Sequence, residues 1–231
     1  MVDLKATETD CCSFGCRSSC VLSAVEPEVL AGLAPRIQRV RFGRGETILH
    51  EGTPTTGWAI LCQGGARLTA SAEQGKRVLL RFCSPGELVS GSPLVAHVLS
   101  ATAVVPSVAG FIGRETVDEL VRRCPEALLA AHRQLTQEQG CLVRRLVDLT
   151  YASTRQRLVR ALLELGDEHG AAEGGGVRID LPLSLRDLAE MIGAARPTTS
   201  GELQALARRG LVRLAWPTVF LLDPDGLRRH S

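Results

Sequence analysis

Between Ile37 and Ile112 the apolar residues come in short runs, each broken by glycine, proline or charge: RVRF, ETILHEG, WAILCQGG, ARLTAS, RVLLRF, ELVSG, SATAVV and VAGFI. Runs of this length, separated by turn formers, predict an antiparallel sandwich or roll. SAEQGKR, from Ser71 to Arg77, reads as a polar hairpin tip. Ahead of the strands, Val25, Val29, Leu30 and Leu33 recur at helical spacing and predict one short helix. After Gly113 the period changes. Arg114 to Arg123 fits a short helix, and Pro125 suits the first turn of a long one. Along that long helix Leu128, Leu135, Leu142 and Leu149 fall seven residues apart. A row this regular predicts a seam for pairing with another helix. A companion row at Ala131, Glu138 and Arg145 is poor, so an ordinary amphipathic helix on its own domain is the alternative. Thr154 to Leu165 reads as a further helix ending at Gly166, followed by GDEHGAAEGGG, a hairpin or connector.

The last 55 or so residues form a separate unit with its own punctuation. S-L-R-D, Ser184 to Asp187, is an N-cap with an acidic residue three positions on. Leu185, Leu188, Ala189 and Ile192 then make one apolar face, and Gly193 stops the helix. A second helix starts near Arg196 and Pro197, buries Leu203 and Leu206, and stops at Gly210. Only Gly193, Ala194 and Ala195 separate the two, the length of connection that a helix-turn-helix uses. Leu211 to Ala215 and Thr218 to Leu222, joined through Trp216 and Pro217, supply a β-wing. The start of the second helix offers Arg196, Thr198, Thr199 and Ser200. Arginine can donate twice to a guanine edge, and hydroxyls suit phosphates or bases. Arg208, Arg209 and Arg213, with Ser184, extend this surface toward the phosphate backbone of double-stranded DNA. The same pattern also occurs in winged helices that bind protein, which leaves an adaptor as an alternative.

Composition narrows the chemistry. The chain has 231 residues, 45% of them hydrophobic but only 3% aromatic, so its cores are built from Leu, Val, Ala and Ile. A formal charge of +2 means that affinity for nucleic acid must come from a local patch. Met1 to Cys20 carries Asp3, Lys5, Glu8 and Asp10 without an apolar run, unlike a signal peptide, and no stretch is apolar enough to span a bilayer. A cytoplasmic location is therefore expected. There, the cysteine-rich stretch CCSFGCRSSC, with Cys11, Cys12, Cys16 and Cys20, points to metal ligation or redox chemistry rather than structural disulfides. Four thiolates this close can wrap a soft metal centre. Structural zinc, a thiol–disulfide switch and an inert tail are the alternatives. Cys62, Cys83, Cys124 and Cys141 read as packing thiols. None of the five histidines belongs to a motif tying it to a cysteine, so an enzyme with a nucleophilic thiol is not expected.

An antiparallel roll, a long pairing helix and a winged helix-turn-helix, in that order, resemble the CRP/FNR family of bacterial transcription regulators. The residues that carry the resemblance are FGRGETILHEG, WAILCQGGARL, PGELV and LRDLAEMIGAARPTTSGELQALARRGLVR. The resemblance implies an α+β chain with a tail at 1–24, a cyclic-nucleotide-binding-like β-roll at 25–123, a dimerisation helix at 124–152 and a DNA-binding domain at 153–231. It also implies homodimers that bind DNA and work with RNA polymerase. In members that bind cyclic nucleotides, an arginine holds the phosphate just after the P-G-E turn. Leu99 stands at that position here, ahead of Ser100, so no cyclic nucleotide is expected. Haem-type members place Cys and His after that turn; this chain has Ser90 and Ser92, so haem is not expected either. The iron–sulfur branch carries N-terminal cysteines ahead of the first helix, as this chain does, which implies an iron–sulfur cluster, 4Fe-4S in type, sensing oxygen, nitric oxide or redox state. The branch's roll cysteine falls at Gly110, so the ligands are Cys11, Cys12, Cys16 and Cys20, or one of these yields to a roll thiol such as Cys83. The branch's recognition-helix glutamate and arginine align with Pro197 and Gly201, so its usual operator does not carry over.

Overall fold

A computed structural model describes residues 20–72, 75–90 and 96–230. Its contacts divide the described residues into two units, 20–70 with those of 81–139, and those of 71–80 with 140–230.

The first unit begins with a tight turn, Val21–Ala24, and helix α1, Pro27–Leu33. Eight strands follow: β1 (Ile37–Phe42), β2 (Thr47–Leu49), β3 (Gly57–Gln63), β4 (Ala66–Ser71), β5 (Arg77–Cys83), β6 (Leu88–Ser90), β7 (Ser100–Ala103) and β8 (Ser107–Gly113). They form two four-stranded sheets, ordered β1-β8-β3-β6 and β2-β7-β4-β5. All eight lie in the short runs picked out by sequence, and each described pairing is antiparallel, with Ile37 opposite Ile112 and Trp58 also opposite Ile112.

Strand β3 shows how alternation builds this unit. Successive side chains of a strand point to opposite faces. Accordingly Trp58, Ile60 and Cys62 enter one buried cluster, with Leu30, Leu33, Val117 and Leu120 of the flanking helices. Ala59 and Leu61 enter another, with Leu68, Cys83, Ala101 and Ala109. A strand covered on both faces reads as an unbroken apolar run, and WAILC is one. Helix α2, Arg114–Arg123, then leads into α3, Pro125–Tyr151.

Helix α3 refines the heptad reading. Leu128, Leu135, Leu142 and Leu149 are each about half exposed, a continuous row along the helix. The companion positions face the chain itself. Ala131 is buried in the first cluster, Glu138 pairs with Arg81, and Arg145 bonds the carbonyls of Leu79 and Leu80 and pairs with Glu164. That row was poor as a seam because it is an internal contact face; the apolar residue that widens the outer row is Leu146.

The second unit holds α4 (Thr154–His169), β9 (Gly170–Glu173), β10 (Gly176–Ile179), α5 (Leu185–Ile192), α6 (Arg196–Arg208), β11 (Val212–Ala215), β12 (Thr218–Leu221) and α7 (Pro224–Arg228). Helix α4 starts on a capping box made by Ser153 and Gln156 and runs past Gly166, where sequence placed its end. A Cβ at Gly166 would lie 2.6 Å from a Leu221 methyl, so this glycine marks a close approach to β12, not a stop. The GDEHGAAEGGG stretch supplies the end of α4 and the β9–β10 hairpin, which joins the wing in one sheet ordered β11-β12-β10-β9. Gly193 ends α5 in the left-handed region at φ 61, as the turn to α6 requires. Among the described residues, no helix is long and apolar enough to cross a membrane.

Candidate nucleic-acid interface and thiol site

Helix α6 is fixed from behind. Thr199, Leu203 and Leu206, at helical spacing, point into the unit and are buried. Arg155 Nε reaches Glu202 at 2.6 Å, tying α4 to α6, and Arg157 Nε donates to the Ile192 carbonyl at 2.9 Å, closing the end of α5. Thr199 was expected on the DNA-facing surface. Instead its hydroxyl donates to the Ala195 carbonyl at 3.0 Å inside the fold, because it lies four residues before Leu203 and shares its face.

The opposite face exposes Arg196, Pro197, Thr198, Gly201, Gln204 and Arg208. Ser200 lies at its edge, half-buried. Gln204 was missed by sequence reasoning, although spacing from Pro197 and Gly201 to Arg208 carries the signal; glutamine can bond an adenine edge twice. Arg209 is exposed beyond the helix, and exposed Arg213 stacks its guanidinium 3.6 Å over the Phe220 ring in the wing. Ser184 is exposed, but its hydroxyl is already used. It accepts from the Asp187 amide at 3.2 Å and donates to the Asp187 carboxylate at 2.5 Å, and the carboxylate accepts the Ser184 amide at 2.9 Å. The candidate surface thus holds four exposed arginines, Arg196 at the start of α6, Arg208 and Arg209 at its end and Arg213 in the wing, with two positions, Pro197 and Gly201, that present no long side chain.

Of the four tail thiols, Cys11, Cys12 and Cys16 lie outside the described residues. Cys20 is buried, 2% exposed, in the cluster that also holds Cys62 and Cys124. It rests on the turn before β6: a Cβ at Gly86 would lie 3.2 Å from the Cys20 Cβ. Cys83, the expected substitute ligand, packs in the other cluster. Burial pushes its thiol well up, only partly opposed by neighbouring Arg81. The roll thiol that shares the Cys20 cluster is Cys62. Its sulfur lies 3.2 Å from where a Gly110 Cβ would stand, filling the space that residue 110 leaves open. The period of two along β3 puts Cys62 on that face.

A β-roll followed by a winged helix-turn-helix with a cationic reading surface defines a DNA-binding transcription regulator, not an enzyme. Residues 39–124 match the cyclic nucleotide-binding domain family and residues 156–230 the Crp-like helix-turn-helix domain. The chain is 27% identical over 214 residues to the CRP-like cAMP-activated global transcriptional regulator of Mycobacterium tuberculosis, covering 91% of this chain and 96% of that protein. Its fold is similar to a mutant of CooA from Carboxydothermus hydrogenoformans, with a TM-score of 0.79, 18% identity and coverage of 94% and 97%. It is also similar to a CRP/FNR-family transcriptional regulator from Thermus thermophilus, with a TM-score of 0.63, 25% identity and coverage of 83% and 97%. Its two matched domains and its full-length relatives make the chain similar to the CRP/FNR family of transcription regulators.

Proposed function

We propose that the chain acts as a homodimer paired along the α3 row, and that a metal centre held by its N-terminal thiols gates its binding to DNA. The centre we favour is an iron–sulfur cluster of the 4Fe-4S type. The observation that carries this reading is the position of Cys20. The last thiol of the tail is buried against the roll, among apolar residues that exclude water, beside a second thiol-bearing strand. An apolar shell around thiolate donors suits a cluster, whose properties depend on solvent access. Cys11, Cys12, Cys16 and Cys20 would hold it, with Cys62 as the roll thiol that shares the Cys20 cluster. When bound, the cluster would supply a centre sensitive to oxygen, nitric oxide or oxidants. The protein's own part is to keep Cys20 dry, to carry a change at the tail toward α3, and to set the two α6 helices for half-sites about one DNA turn apart.

A cyclic nucleotide is the second reading, raised by the cAMP-activated relative. Two features count against it. Leu99, at the position of the phosphate-binding arginine, packs against the roll interior. The carboxylate of Glu87, in the P-G-E turn, is already bonded by Arg81 and the Ser84 amide. Action on promoters fits a cytoplasmic protein that works with RNA polymerase.

The test is metal content. Anaerobically purified chain should be brown and hold about four irons and four sulfides, and Cys16→Ser should lose them. A colourless chain with one zinc would replace the iron reading with a structural metal. Metal-free chain whose DNA affinity responds to cAMP would overturn it in favour of the second reading.

A further inference from the structure

The Ser84–Glu87 turn is held on three sides. The Gly86 amide donates to the Leu61 carbonyl at 2.7 Å, Cys20 packs on Gly86, and the Glu87 carboxylate accepts the Ser84 amide at 3.0 Å. Gly86 itself has φ +96, a conformation that side chains other than glycine's resist. From this turn a chain of polar contacts leads to α3. Arg81 donates to Glu87 at 2.5 Å through one terminal nitrogen, and through the other it pairs with Glu138 of α3. The same two nitrogens donate to the Phe82 and Leu88 carbonyls at 3.2 Å, which sets the guanidinium between the two carboxylates. One helical turn earlier, Gln134 of α3 accepts the Leu88 amide at 3.1 Å.

We propose that Arg81 is a positioning residue that couples the turn beneath Cys20 to helix α3, so that displacement of Cys20 is passed through Gly86 and Glu87 to Glu138. Only arginine serves in this geometry, because its planar fork reaches two carboxylates at once, whereas lysine offers a point charge. The three charged side chains, Arg81, Glu87 and Glu138, are half-buried, where the pairing orients more than it stabilises. The coupling deepens the regulatory reading above, since it names how the tail would speak to the dimer helix. It does not require that the tail hold iron.

Hydrogen–deuterium exchange on the full chain, stripped of metal by chelation, tests it. Gly86→Ala places a methyl 3.2 Å from the Cys20 Cβ and strains the turn, so it displaces both without removing a thiol. Amides of α3 from Ala131 to Gln139 should then exchange faster by about fivefold, the lower end of ordinary coupling between sites. Arg81→Met and, separately, Glu138→Gln should each speed the same amides, and Gly86→Ala should add nothing further in either background. Arg81→Lys should fall between. A general loss of stability would speed exchange across all the strands alike, and the two substitutions would then add. If α3 keeps wild-type exchange in Glu138→Gln, which leaves the roll interior untouched, or if the effects add, the coupling is refuted. Coupled exchange in a chain that never binds iron would leave the relay standing and sink only the metal reading.

Discussion

Leu142→Ala should weaken pairing of two chains by one to two orders of magnitude. Leu142 is 46% exposed in the single chain, so a partner helix has about half of its side chain left to cover. Full burial of a leucine is worth about 1.5–3 kcal/mol, hence roughly 0.7–1.5 kcal/mol for the remaining half. A symmetric pair loses two copies, roughly 1.5–3 kcal/mol in all, which is about a 10- to 100-fold rise in Kd. The helix itself should survive, because alanine favours helix at least as well as leucine. Sedimentation velocity across a concentration series reads the change, with far-ultraviolet circular dichroism as the check on folding. Leu129→Ala is the control: it is 53% exposed but rotated off the row. If Leu142→Ala shifts Kd by less than about threefold, roughly 0.7 kcal/mol, or if Leu129→Ala shifts it equally, the seam is not where the chains meet.

Three further outcomes follow from the geometry. Ser184→Ala removes the cap of α5 and leaves the buried Asp187 carboxylate short of a partner, so the second unit should lose about 1–2 kcal/mol, seen as a drop in Tm of roughly 4–8 °C per kcal/mol. Ser184→Gly removes the same hydroxyl but suits the N-cap backbone better, so it should cost less than alanine, and a large loss of DNA affinity at unchanged Tm would show that the hydroxyl contacts DNA instead. Arg196→Ala should cost about 1–3 kcal/mol on a duplex selected from a random pool and relax preference at one position of each half-site, whereas Arg208→Ala should weaken all duplexes alike and lower the salt slope by about one. His97 bonds Ser90 through its ring at 3.0 Å, and burial holds its imidazole below the usual value. The unfolded chain therefore takes up a proton near pH 6.5 that the fold resists, and stability should fall as pH drops below about 6.5 and level off below the folded value. Urea titrations at a series of pH values should show this slope in the wild type and a flatter one in His97→Gln.

How much of this was legible beforehand depended on the range of the contacts. The eight roll strands, the capped α5 and the glycine that ends it each follow from residues within one short stretch, and they were readable. Thr199 was misplaced because a run of hydroxyls looks uniform until the phase set by Leu203 and Leu206 assigns one of them to the interior. Gly166 looked like a stop because only the tertiary approach of Leu221 shows why a helix would keep a glycine there. The row Ala131, Glu138, Arg145 looked like a failed heptad because its partners, Arg81 and the carbonyls of Leu79 and Leu80, lie more than fifty residues away in sequence. Cys62 and Cys83 look alike in the sequence, two thiols in apolar strands, until the sheets show that they enter different clusters.

Leu149 touches two tasks at once. Half of it is open on the outer row of α3, while its other side leaves only 3.0 Å between a methyl and the spot where a side chain at Gly193 would begin. The turn between α5 and α6 thus abuts a residue of the row along which we propose that two chains pair. A substitution at Leu149 would therefore disturb the support of that turn as well as the proposed contact between copies.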